Sequence, residues 1–212
     1  MEVHMGENIR KSILAGLMIS IGGFVNLACS LKGLPWAGAL LFSVGLFTIC
    51  EYGFNLYTGK AGYIAEDFRN VRYIGFVAGV LAVNLATTFA VGAGLSFLYA
   101  DIAESARALY SAKLSAPLAR SFVSAVLCGV LMFAAVDAKK RGTRLGIFLA
   151  VPAFILAGFD HSIANSFYGG LAVGADTLSL RNLAFTAVVV LGNAAGCMLI
   201  PLLMKRAENA QR

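Results

Sequence analysis

Six long apolar blocks occupy most of the chain and fix its solvent before any other feature is weighed. They cover about 12–30, 36–57, 73–99, 118–136, 145–159 and 183–204, the fifth continuing in mixed sequence to about 174. A bilayer span needs about 20 predominantly apolar residues. The first, third, fourth and sixth blocks meet that length uninterrupted. Only 13% of the 212 residues are charged, against about 25% in soluble domains. With mean hydropathy of +0.79, the chain cannot cover itself with polar surface, so lipid is its solvent. The expected architecture is an all-α membrane protein, one transmembrane domain over residues 1–212, with no room for a second. No cleavable signal peptide is expected: "MEVHMGENIRK" is polar, and the first apolar run is too long and lacks an A-x-A-like site. Cys29, Cys50, Cys128 and Cys197 lie in or beside apolar runs without a C-x-x-C pair, as buried free thiols do.

Basic residues orient the spans. With six spans both termini share a side, which then holds Arg10, Lys11, Arg69, Arg72, Lys139, Lys140, Arg141, Arg144, Lys205, Arg206 and Arg212. The other side holds Lys32, Arg107, Lys113, Arg120 and Arg181, and Lys60 falls within the second block. Eleven against five predicts cytoplasmic termini and a multi-pass protein of the cell inner (plasma) membrane. The net charge of +6 reflects this loop excess, so no nucleic-acid partner is expected.

The second and fifth blocks begin as spans and then break into polar, glycine-containing sequence, "NLYTGKAGYIAEDF" and "GFDHSIANSFYGG". Whole, broken, whole therefore occurs twice, over repeats of about 10–100 and 115–206. Three spans per half is an odd number, so the halves enter the membrane inverted. Unwound backbone exposes N–H and C=O groups that lipid cannot satisfy, so paired breaks belong inside protein or beside a watery path. The expected fold is six transmembrane helices in two inverted three-helix repeats, the second and fifth helices broken, an aquaporin-like architecture.

The residues also carry a family resemblance. "GFDHSIANSF" is very similar to the Gly-Phe-Glu-His-Ser-(Ile/Val)-Ala-Asn-Met-Phe signature in the fifth span of the formate/nitrite transporter family. "NLYTG" resembles its (Asp/Glu)-Leu-Phe-Thr loop, "LGNAAGCML" its Gly-Asn-x-x-Gly sixth span, and "AVNLATTF" its third span more weakly. The resemblance covers about residues 12–205. It implies a homopentamer with one pore per protomer for small monovalent anions such as formate, nitrite or hydrosulfide. By position, His161 matches the pore histidine and Thr58 the threonine that faces it. Leu56 and Tyr57 match the loop's leucine and aromatic, Leu46 and Phe154 the apolar constriction on one side, and Lys113 the vestibule lysine. Asn84 and Asn193 lie along the same pathway at related places, better suited to bonding freed backbone than to substrate contact.

Several positions depart from the family pattern. Asp160 replaces glutamate, Ser166 replaces methionine, Ala125 stands where the fourth span usually has asparagine, and Tyr57 adds a hydroxyl at a dry gate. Glu51 is an acid inside the second block, facing either a subunit interface or the cytoplasmic vestibule. Gly22, Gly23, Gly75, Gly79, Gly92 and Gly94 suit close helix packing.

The chemistry of a pore histidine follows from cost. A charge at the bilayer centre costs at least about 2.5–3.5 kcal/mol on insertion scales. A constriction of Leu46, Leu56, Tyr57 and Phe154 would reject an anion, but not the neutral acid. Histidine holds or lends a proton near physiological pH, so His161 is expected to aid passage by transient protonation. The alternative is a neutral small-solute channel of aquaporin-like design. It needs Asn-Pro-Ala at both breaks, where this chain reads "NLYTG" and "HSIAN". No H-E-x-x-H, G-x-S-x-G or cofactor fingerprint is present, so no enzyme, cofactor or metal is expected. The expected partners are small anions, protons, lipid and further copies of the chain.

Overall fold

The computed structural model describes residues 2–174, 177 and 179–210, and the side chains of 5–174, 177 and 179–205. Among the described residues there is no strand. The described residues form nine α-helices, in order α1 Glu2–Leu31, α2 Pro35–Tyr52, α3 Tyr57–Ala61, α4 Val71–Ser96, α5 Ala100–Ser115, α6 Leu118–Lys140, α7 Leu145–Leu156, α8 Ser162–Leu171 and α9 Leu180–Ala210. A 3-10 turn, Gly62–Glu66, extends α3. Among the described residues five helices, α1, α2, α4, α6 and α9, are long and apolar enough to cross a membrane. The sixth expected span is the shorter apolar α7, followed by α8. Between the third and fourth blocks, a stretch given no element in the sequence, the chain forms the 16-residue α5. Its mean composition is far less apolar than that of the spans, and it buries only Ile102, Ala103, Ala106 and Tyr110.

The two breaks share one local design. α2 ends on Gly53 and α7 just before Gly158, glycines at φ 67° and 72°. Left-handed backbone costs a residue with a Cβ energy that glycine avoids. The next amide closes each end: Phe54 N donates to Ile49 O and Phe159 N to Phe154 O, both at 2.9 Å. The chain then runs extended through Leu56 (φ −104°, ψ 132°) and His161 (φ −104°, ψ 115°), which stand at the N-caps of α3 and α8. "GFNL" and "GFDH" are thus the same turn written twice.

Two asparagines hold the breaks in place. Asn84 Oδ1 accepts from Tyr57 N at 2.9 Å, and its amide donates to Ser12 O at 2.8 Å and Asn55 O at 3.1 Å. Asn193 Oδ1 accepts from Ser162 N, and its amide donates to Ala125 O and Asp160 O, each at 2.8 Å. Both side chains are 0% exposed. They supply protein partners for backbone groups that neither helix nor lipid can satisfy.

Helix α6 packs on α9, α1 on α2, and α4 on α8. A Cβ on Gly196 would collide with the Val126 carbonyl, so glycine there sets the α6–α9 approach. Of the glycines expected at packed faces, Gly22, Gly23 and Gly92 are crowded, whereas Gly75, Gly79 and Gly94 have nothing within 4 Å of a built Cβ. All four cysteines are free, Cys128 and Cys197 fully buried and Cys29 and Cys50 partly so.

Candidate functional site

The two half-helix N-termini bring Thr58 and His161 together. Thr58 Oγ1 lies 3.0 Å from His161 Nε2, with exposures of 0% and 1%. His161 Nδ1 accepts the Ala164 backbone N–H at 3.2 Å, capping α8. That bond needs a lone pair on Nδ1, so the neutral imidazole carries its proton on Nε2, aimed at Thr58 Oγ1. The Cys197 thiol donates to Thr58 O at 3.2 Å and to Gly129 O at 3.3 Å, tying this loop to α6 and α9.

A cavity flanks this contact on each side. One, of about 80 Å³, is lined by His161, Phe154, Lys113, Asn26 and Tyr168 among others. The other, of about 160 Å³, is lined by Leu46, Leu56, Gly59 and the lysines 60, 139 and 140. Neither lining includes a carboxylate. Leu46 and Phe154, expected on one side of the site, therefore line opposite cavities. The helical register of α2 explains this: Leu46 lies one turn past Phe42, and Phe42 is the residue that meets Phe154, edge to face at 6.1 Å. Phe154 in turn stacks on His161 at 5.7 Å and 26°. Phe42 was not singled out in the sequence, where one more phenylalanine in an apolar run carries no signal.

Lys113 reaches the His161 side, where Nζ donates to Asp160 Oδ1 at 2.6 Å and to Gly158 O at 3.3 Å. Asp160 Oδ1 also accepts from Asn165 Nδ2 at 3.0 Å, and Asp160 N donates to Ser124 Oγ at 3.0 Å. The aspartate carboxylate thus joins α5 to α8, while the residue's backbone N–H reaches α6. The Tyr57 hydroxyl, expected at a dry gate, donates instead to Val190 O at 3.1 Å. Ser166 Oγ donates to Leu85 O at 2.9 Å, joining α8 to α4. Ala125 offers only its carbonyl, to Asn193. Glu51 forms a two-pronged pair with Arg144, both contacts at 2.9 Å, which links the end of α2 to the start of α7. Among the described residues no cluster of His, Cys, Asp or Glu is arranged for a metal.

A membrane-embedded helical bundle whose two broken helices meet at a buried Thr–His contact has the architecture of a transport protein. The formate/nitrite transporter family model matches residues 1–206, and the chain belongs to that family. It is 27% identical over 208 residues to the formate channel BtFdhC of Bacillus thuringiensis, covering 86% of this chain and 79% of that protein. It is 28% identical over 236 residues to a probable formate transporter of Methanothermobacter thermautotrophicus, covering 91% and 85%. Its fold superposes on a pentameric formate channel with formate bound at a TM-score of 0.78 and 21% identity, covering 99% of each chain. An FNT family ion channel superposes at 0.79 with 20% identity, over 94% of this chain and 89% of that one. Family membership makes this an integral membrane transporter of small anions rather than an enzyme.

Proposed function

We propose that each protomer forms one path for the small monovalent anions of weak acids, formate, nitrite or hydrosulfide, through the Thr58–His161 contact. The observation that carries this reading is a titratable side chain buried between two lysine-lined cavities, with apolar side chains closing each approach. Lys60, Lys139 and Lys140 gather anions at one mouth, and the paired Lys113 lines the other. Phe42 and Phe154 on one side, Leu46 and Leu56 on the other, are too dry to admit a bare charge. An oxyanion arriving at the Nε2–H of His161 stabilises the imidazolium formed when the ring takes a proton from solution; the imidazolium then gives one proton to the anion, the ring returns to neutral, and the neutral acid crosses the apolar gates.

The repeated turn at Gly53 and Gly158 and the matched bonds of Asn84 and Asn193 support two inverted three-helix halves, about 10–100 and 115–206. Five full-length helices plus α7–α8 fit six crossings, and the basic excess supports cytoplasmic termini in the inner membrane. Arg212 and the Arg206 side chain, which contribute to that excess, lie outside the described residues. The pentameric relative supports a ring of five copies, each with its own path.

Flux into liposomes tests the reading. Formate, nitrite and hydrosulfide should enter protein-loaded vesicles faster than protein-free ones, and faster at lower pH. Passage of glycerol or water alone would favour the neutral-solute alternative.

A further inference from the structure

The two mouths differ in how their cations are balanced. At one, Lys113 is neutralised by Asp160 at 2.6 Å. At the other, three ammonium groups share a cavity with no carboxylate in its lining. Lys139 Nζ donates to Cys50 O at 2.8 Å, and Lys140 Nζ sits 3.4 Å from the centre of the Tyr63 ring. Lys60 Nζ has neither an ion-pair nor a hydrogen-bond partner among the described residues. Glu66 and Asp67 line the adjoining cavity with it, but neither pairs with it. Half-buried and two residues past Thr58 on α3, Lys60 is a desolvated cation beside two like charges. Such a group is stabilised by an anion from solution.

We propose that Lys60 is the docking group of an anion site at this mouth, taking a small monovalent carboxylate or oxyanion one step before it reaches Thr58. This rests on the pore reading above. It makes the Lys60 mouth saturate at lower formate than the Lys113 mouth, where the lysine is already paired. A passive path has one low-concentration permeability in both directions, so the half-saturating concentration on each face is the informative quantity.

The test is formate flux in vesicles of defined orientation, with formate supplied from one face at a time. In Lys60→Gln the half-saturating concentration on the Lys60 face should rise about fivefold, the factor of one contact charge pair in water. The value on the Lys113 face should hold, and Lys60→Arg should match wild type. An unchanged value on the Lys60 face, or an equal rise on both faces, would overturn the proposal. Salt in the wild type gives a check independent of the variant's folding: it should raise half-saturation more on the Lys60 face, and equal rises would contradict the site. Wild-type vesicles that pass no formate from either face would refute the pore reading itself.

Discussion

Asn84 and Asn193 perform the same task in the two halves of the chain: each accepts the first N–H of a half-helix and donates to two carbonyls from two other segments. Replacing either by leucine strands two buried backbone groups, Tyr57 N and Asn55 O in one half or Ser162 N and Asp160 O in the other, while Ser12 O and Ala125 O keep their helical bonds. An unsatisfied buried group costs about 1–3 kcal/mol, so Asn84→Leu or Asn193→Leu should lose about 2 kcal/mol or more, and with it folded yield. Thermal unfolding in detergent measures this. A variant that melts with the wild type would mean water or another side chain takes the asparagine's place.

Thr58→Val keeps the shape of the side chain and deletes the hydroxyl that meets His161 at 3.0 Å. One hydrogen bond nets about 0.5–1.5 kcal/mol of stability, so the protein should still fold with only a small drop in melting temperature, while formate flux falls severalfold. Normal flux would make the loop a structural break only.

The Lys113–Asp160 pair is nearly buried, with side-chain exposures of 13% and 8%. Breaking a fully buried pair costs about 3–5 kcal/mol. Asp160 keeps its bond from Asn165, so Lys113→Met should cost less, about 2 kcal/mol. Lys113→Met with Asp160→Asn removes both charges and should recover part of that loss. A cycle of the four proteins by thermal melts isolates the coupling, and a coupling near zero would mean solvent screens the pair fully.

Much of this was legible in sequence because a break in a membrane-depth helix is chemically conspicuous. "NLYTG" and "GFDHSIAN" put polar groups at depths where lipid offers them no partner. They located both half-helices, and the family resemblance singled out Thr58 and His161, which the fold brings into contact. Helix α5 was missed because residues 100–115 mix small, charged and apolar types without a span's hydrophobicity. Phe42 and the opposite placement of Leu46 and Phe154 depend on helix register within uniformly apolar segments, where one residue looks like the next. The Glu51–Arg144 pair joins residues 93 positions apart, and no local pattern announces it.

His161 carries the central claim. Its Nδ1 caps α8, and asparagine is a favoured N-cap that offers an oxygen in the same role. His161→Asn should therefore fold and assemble while losing the imidazole that meets Thr58 at the contact. The deciding measurement is formate flux across a pH series, wild type against His161→Asn at matched incorporation, with protein-free vesicle leak subtracted. In wild type, flux should rise as the pH on the loading side falls, because protonation at the histidine becomes easier. In His161→Asn that rise should flatten, with flux either much reduced or insensitive to pH. Superimposable pH profiles and equal rates would contradict the account and leave His161 as a helix cap without a part in transport.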